Sequence, residues 1–333
     1  MKLALGVLDQ TPIKSGSSAS EAISESIELA KHADKLGYTR YWVAEHHGST
    51  GLAGSVPEIL INSIASVTKK IRVGSGGVML NHYSPLKVAE VFSMLSIMHP
   101  ERIDLGLGRA PGGGQLVSAA MSYGSKIGVE YYPTKIADLI AFLNETGHAN
   151  KALEGISVSP KAEIPPQVWL LGSSSESAQI AATLGLPFSY AHFIYPHGAK
   201  DIINLYRKKF KKSKILASPF ANICVATICA EKNSDAEYYA QSRRLWRLQL
   251  TKGDLGPYPT PDEAINYNYS ESELRIVEKN LGACFIGNPK KVKNDIELLC
   301  KECMVEEALL LSTTHDQSAR FQSYQLISEA FNL

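Results

Sequence analysis

Apolar residues recur along this chain in two alternating rhythms, dense short runs and longer stretches with an apolar position every third or fourth residue. Leu3 to Leu8 reads as a first strand. Glu21 to Leu36 reads as a helix with Ala22, Ile23, Ile27, Ala30 and Ala33 near helical spacing, ended by Gly37. Strands two to four are expected at Arg40 to Ala44, Ile71 to Leu80 and Ile103 to Leu107. The helices between them, Pro57 to Thr68 and Ser84-Pro85 to about His99, open on proline, whose fixed φ suits a first turn. A helix follows at Tyr132 to Glu145, then an excursion around Gly155 to Pro160 that is expected to pair as a hairpin before the Pro165-Pro166 stop. Gln167 to Leu171, Pro187 to His192, Ala221 to Ala230 and Ala308 to Ser312 complete the strands. Helices are expected from the Gly172 to Ser177 segment through Leu184, at Ala199 to Phe210, at Pro289 to Cys303 and at Gln317 to Phe331.

Eight strands, each followed by helical material and joined by lengths that allow parallel crossovers, indicate an α/β fold of the (β/α)8 TIM-barrel type with insertions. An open nucleotide-binding sheet is the alternative, but it would want a glycine-rich phosphate fingerprint after strand one, and Asp9-Gln-Thr-Pro12 is not one. Neither a repeat nor a long linker interrupts residues 1–333, so a single domain is expected. Within it, Thr251 to Asn268 is rich in Gly, Pro and Tyr, and residues 251–282 form a candidate lid.

Charge and cysteine usage narrow the function. With 34 Lys and Arg against 33 Asp and Glu in 333 residues, no polybasic surface points to nucleic acid or to an anionic membrane, so a small-molecule partner is expected. The opening apolar run is broken by Asp9, too early for a signal peptide or a membrane span. Five cysteines, several inside apolar runs, fit reduced thiols of a cytoplasmic protein. Cys300-Lys-Glu-Cys303 lies late in a helix, where a thiolate gains nothing from the helix N-terminus, and reads as packing. No compact Cys/His set suggests a metal.

Candidate chemistry gathers at strand ends, where α/β barrels keep their sites. Strand two ends Tyr41-Trp-Val-Ala-Glu45-His46-His47, an acid and two imidazoles where apolar residues would be expected, followed by a small-residue loop. Adjacent strand residues point to opposite faces, so one of these histidines is open to a packing role. The ends of strands two to five bring His46, His47, Asn81-His82, Arg109 and Ser173, Ser174 and Ser177 to one face. Backbone N–H groups at a helix start, hydroxyls and a guanidinium make an anion site for one phosphate. Taken singly, Ser173 and Ser174 read as an ordinary helix cap, Arg109 as a surface ion pair and Gly112 to Gly114 as a turn. Gly74-Ser-Gly-Gly-Val78 is unusual for a central strand; it marks either a packing bulge or a flat ring lying against backbone.

Five segments in order, Trp42-x-x-Glu45-His46-His47, Val73 to Val78, Pro85 with Glu90, Leu107-Gly-Arg109, and Gly172-Ser-Ser with Leu184-Gly-Leu-Pro187, resemble the bacterial luciferase-like flavin-dependent monooxygenases along nearly the whole chain. The resemblance implies a barrel that binds reduced FMN. Its phosphate would be held by Gly172, Ser173, Ser174, Ser177 and Arg109, and its ring by a non-proline cis peptide at Gly76-Gly77. It further implies His46 as the catalytic proton relay with His47 its neighbour, dioxygen and a small organic substrate with carbonyl compounds as candidates, and a homodimer formed through Ile59 to Val67 and Val88 to Met98. Lacking a nicotinamide fingerprint, the chain is expected to receive reduced flavin from a separate reductase. Gly108 and Ser173 stand where the luciferase α chain has a reactive cysteine and a glutamate, so luminescence and its aldehyde substrate are not carried over. Two alternatives stay open: an F420-dependent dehydrogenase of the same superfamily, and a flavin-binding protein without turnover.

Overall fold

The computed structural model describes residues 3–110, 112–125 and 127–333. The strands are β1 (Ala4–Asp9), β2 (Arg40–Val43), β3 (Arg72–Met79), β4 (Ile103–Gly108), β5 (Gln167–Gly172), β6 (Phe188–Ala191), β7 (Ala221–Cys229), β8 (Cys284–Gly287) and β9 (Glu307–Leu311), all paired in parallel. Eight of them close a barrel: β1 to β7 pair in sequence, and β9 bonds both β7 and β1. β8 stands outside the ring. It pairs only with Ala226 to Cys229, whereas Ile223 to Ala226 of the same strand pair with β9.

The helices are α1 (Ala19–Leu36), α2 (Pro57–Val67), α3 (Pro85–Met98), α4 (Gln115–Ser122), α5 (Tyr132–Asn144), α6 (Ser175–Leu184), α7 (Ala199–Lys209), α8 (Asn233–Thr251), α9 (Pro261–Ile265), α10 (Glu271–Lys279), α11 (Pro289–Cys303) and α12 (Gln317–Phe331). Local chemistry sets their ends. Ser18 caps α1 reciprocally with Glu21, and Gly37, at φ 89°, takes the left-handed conformation that closes it.

The two-residue strand period sorts side chains into an outer and an inner set. Val7, Tyr41, Val43, Val73, Leu105 and Leu310 pack outward under the helices. Leu8, Trp42, Trp169, Cys224 and Leu309 fill the lumen, with the two indoles edge to face at 5.4 Å. Below this layer, at the amino ends of the strands, inward-facing charges plug the barrel. Arg40 bridges Asp104 at 2.6 Å and Glu307 at 2.8 Å, Arg72 meets the other oxygen of Asp104 at 2.6 Å, and Asn222 donates to Glu307 at 2.9 Å. Apolar and ionic layers together leave the carboxyl ends of the strands as the open end.

Several elements depart from the sequence expectation, among them the short helices α4, α9 and α10, which it did not include. No strand forms between α5 and β5, so the hairpin expected near Gly155 to Pro160 is absent. The segment is instead held flat on α3, where Ser93 Oγ donates to the Pro160 carbonyl at 2.7 Å and accepts from Ala162 N at 2.8 Å. α8 and β8 are additional. The buried face of α8 is built partly from Ala236, Ala240, Ser242 and Arg243, too small or too polar to show an apolar stripe. Cys300 and Cys303 sit buried on α11 as free thiols, and burial pushes their pKa values up to about 12 and about 11, in keeping with a packing role.

Candidate active site

The open end encloses a cavity of about 640 Å3, within the usual range for a small-molecule site. His46, Gly76, Gly77, Arg109, Gly172, Ser173, Ser174 and Ser177 all line it. The ends of β2, β3, β4 and β5 therefore converge as their chain order suggested. Asn81 and His82 are not on the wall. Asn81 acts behind it, its Nδ2 donating to the Arg109 carbonyl at 3.1 Å.

The two histidines divide. After β2 the chain leaves the sheet and is clamped by two loops: His46 N donates to the Gly54 carbonyl and His47 N to the Gly112 carbonyl, both at 2.8 Å. His46 faces the cavity, its Nδ1 buried without a hydrogen-bond partner. Burial, and the neighbouring His47 after it, lower its pKa to about 4, so it is neutral at pH 7. His47 does not line the cavity. Its Nε2 lies 2.7 Å from Glu45 Oε1, which also accepts from Tyr83 OH at 2.7 Å, while Glu45 Oε2 accepts from Met79 N at 3.0 Å. The expected histidine pair is thus narrowed to one imidazole on the wall and one behind it, where the hydrogen bonds to Gly54 and Gly112 hold consecutive residues of the loop and Glu45 holds the His47 ring.

Glu45 itself lines the cavity, 1% exposed, and ties β2 to β3. The sequence pointed to its neighbours and passed over it, although it stands in the same motif. Tyr83, the other unforeseen member, is placed by Lys135, whose Nζ donates to the carbonyls of Asn81 at 2.7 Å and Tyr83 at 3.1 Å.

On β3 the glycine run forms a bulge: the register against β4 shifts between Gly76 and Val78, and the Gly76-Gly77 peptide is cis. A Cβ on Gly77 would stand 2.6 Å from the Gly106 carbonyl oxygen, so only glycine fits there, and the cavity meets bare backbone. The bulge and the flat backbone surface, posed as alternatives, are one feature.

Ser174 is the N-cap of α6, its Oγ accepting from Ser177 N at 3.2 Å and lying 2.9 Å from Ser177 Oγ. Cap and cavity wall are again the same residues. Arg109 reaches this helix start and pairs with Glu176, whose side chain is 64% exposed. An anion at the cap can displace so solvated a partner at small cost. Much of the rest of the wall is apolar, with Leu8, Trp42, Phe193, Ile194 and Leu309 beside Gln10 and Ser189; of these only Trp42 stood in a segment the sequence marked for the site.

The insertion at 251–282 packs on the loops at this end. Tyr258 is fully buried, its OH donating to the Thr313 carbonyl at 2.9 Å, and its backbone exchanges hydrogen bonds with Ile13 and Ser15. Among the described residues none of this insertion lines the cavity.

Residues 3–302 match the family described as luciferase-like monooxygenase. A luciferase-like monooxygenase of Escherichia coli strain K12 is 38% identical over 324 residues, covering 97% of this chain and 96% of that protein. An N-acetyl-S-alkylcysteine monooxygenase of Bacillus subtilis strain 168 is 33% identical over 329 residues, covering 98% and 97%. Among solved structures, apo-MsnO8 superposes with a TM-score of 0.91 at 37% identity over 99% of both chains. The fold is also shared, at 18% identity and TM-score 0.70 over 99% and 98% of the chains, with the oxygenating constituent of 3,6-diketocamphane monooxygenase in complex with FMN. An F420-dependent secondary alcohol dehydrogenase, at 15% and 0.69 over 99% of both, shares it too.

Proposed function

The chain belongs to the luciferase-like monooxygenase family, and from its cavity we propose an FMN-dependent monooxygenase that uses reduced FMN from a separate reductase, and dioxygen, to oxidise a small organic substrate. The observation that carries this reading is the convergence of an anion cradle, a bare-backbone surface and a neutral imidazole on one cavity.

The residues suit the cofactor. The α6 cap offers Ser173, Ser174 and Ser177 hydroxyls and free N–H groups, with Arg109 beside them, the donor set for a single phosphate. Gly76 and Gly77 leave room for a flat ring against the strand. Bound reduced flavin supplies the activation of dioxygen, and the protein supplies position, dryness and proton handling. Leu8, Trp42, Phe193 and Leu309 keep water from the ring end. His46, neutral at pH 7, takes up and returns a proton at its ring, and Nδ1, buried and unpartnered, has no competing bond to break. His47 is a positioning residue, tied through Glu45 to β3 and Tyr83.

The test is oxygen consumption by the purified protein with photoreduced FMN and a panel of candidate organic substrates, against the same panel with reduced F420. Substrate-dependent uptake with FMN is expected. Turnover with F420 alone would replace this reading with the dehydrogenase, binding of FMN with no turnover on any substrate would leave a flavin carrier, and steady NAD(P)H oxidation without added reductase would remove the reductase.

We also propose a homodimer through α2 and α3, where Ile59 is 68% and Met94 55% exposed beside Val67, Ile97 and Met98. A monomer by sedimentation would remove it. All five cysteines are free, which suits the reducing cytoplasm; among the described residues no helix is long and apolar enough to cross a membrane.

A further inference from the structure

α8 carries Arg243, Arg244 and Arg247, and the four-residue spacing puts the first and last on one face. That face turns toward β8 and the end of α10, where the three arginines, with Asn280 and Cys284, line a small space of about 30 Å3. It has room for a head group and not for a whole organic molecule. Among the described residues no carboxylate lines it. Arg243 is 5% exposed, and among the described residues neither its guanidinium nor that of Arg247 has a hydrogen bond or an ion pair. Arg244 pairs with Glu237 at 2.6 Å, yet its Nε is buried without a partner. Burial, and then the like charge of Arg243, lower the Arg247 pKa to about 10, which leaves it cationic at neutral pH.

Two guanidinium groups without a counter-charge, Arg243 buried and Arg247 half-buried, oppose folding, and an ordinary structural arginine would carry a carboxylate partner, as Arg40 and Arg320 do. The missing element is negative charge. Cys284, on the wall of this space, also packs against the Leu8, Trp42, Cys224 and Leu309 cluster that lines the active cavity, and the charge of Arg243 is felt at Cys224.

We propose that Arg243 and Arg247 bind an anionic group, a carboxylate, sulfonate or phosphate, beneath β8 and α10. Two guanidinium forks one helical turn apart present the planar donor pairs that such groups accept. The group is either the acidic end of an organic substrate, which rests on the reading of the adjoining cavity as the active site, or a free anion, which does not.

The experiment follows the thermal midpoint of the purified protein during titration with phosphate, with sulfate, and with carboxylates from acetate to hexanoate beside their matched amides, at constant ionic strength. Saturable stabilisation by anions and none by amides is expected, weakened about tenfold or more in Arg243→Met and in Arg247→Gln. Without added anion Arg243→Met should melt no lower than the parent, since an unpaired buried charge has been removed. Arg247→Gln, at the more exposed position, carries the test should Arg243→Met not fold. Affinity rising with carboxylate chain length assigns an organic acid substrate, and phosphate or sulfate binding without that trend assigns a free anion. Equal anion responses in the parent and both variants would overturn the site. Flavin absorbance of the same variants, expected to titrate with FMN as the parent does, separates that result from failure of the FMN reading.

Discussion

At the amino end of the barrel Arg40, Arg72, Asp104, Glu307 and Asn222 meet in a closed set, whereas at the carboxyl end His46 Nδ1 and the Ser174 and Ser177 hydroxyls face a cavity. Both ends are polar, inward-facing and enclosed by the same strands. They differ in completion: the lower charges find buried counter-charges within the chain, whereas at the upper end His46 Nδ1 has no partner among the described residues and Arg109 has only the exposed Glu176. Polarity inside a barrel therefore says little about function until its partners are counted.

The comparison predicts that variants at the lower end cost stability and variants at the upper end cost function. Glu307→Ala leaves Arg40 Nε and Asn222 Nδ2 without an acceptor, Arg40 keeping Asp104, and a loss of about 3–5 kcal/mol in urea unfolding is expected, with FMN affinity of the folded fraction unchanged. A loss below about 1 kcal/mol would show the plug to be dispensable. His46→Gln should lower oxygenation about a hundredfold with FMN affinity kept within a few fold, as befits a proton-handling group. Arg109→Met should weaken FMN about tenfold by flavin titration and leave the urea midpoint near the parent value, since its bond to exposed Glu176 contributes little.

The smallest effect is a pH slope. Burial lowers both His46 and His192 from 6.5 to about 4, with His47 and His197 adding to it. The native state then binds fewer protons than the unfolded chain between these values, so their contribution to stability is complete above about pH 6.5 and is lost as pH falls toward 4. Urea midpoints at pH 7 and pH 5 should differ by less in His46→Gln than in the parent. An unchanged difference would mean that His46 is not the buried neutral group described.

Strand-forming and helix-forming rhythms lie along the chain itself. The eight barrel strands, their order and the four strand ends that supply the site were accordingly legible from residue pattern and local capping chemistry. Tertiary structure decided what depends on contacts distant in sequence. It turned His47 away to Glu45 and Tyr83, joined the serine cap to Arg109, and merged the Gly76-Gly77 bulge with the cavity wall. It also added β8 and buried Arg243 on a helix whose inner face has too few large apolar side chains to announce itself. The reason is physical: secondary structure answers to neighbours along the chain, while burial and pairing of a polar group are set by whichever residues the closed barrel brings beside it.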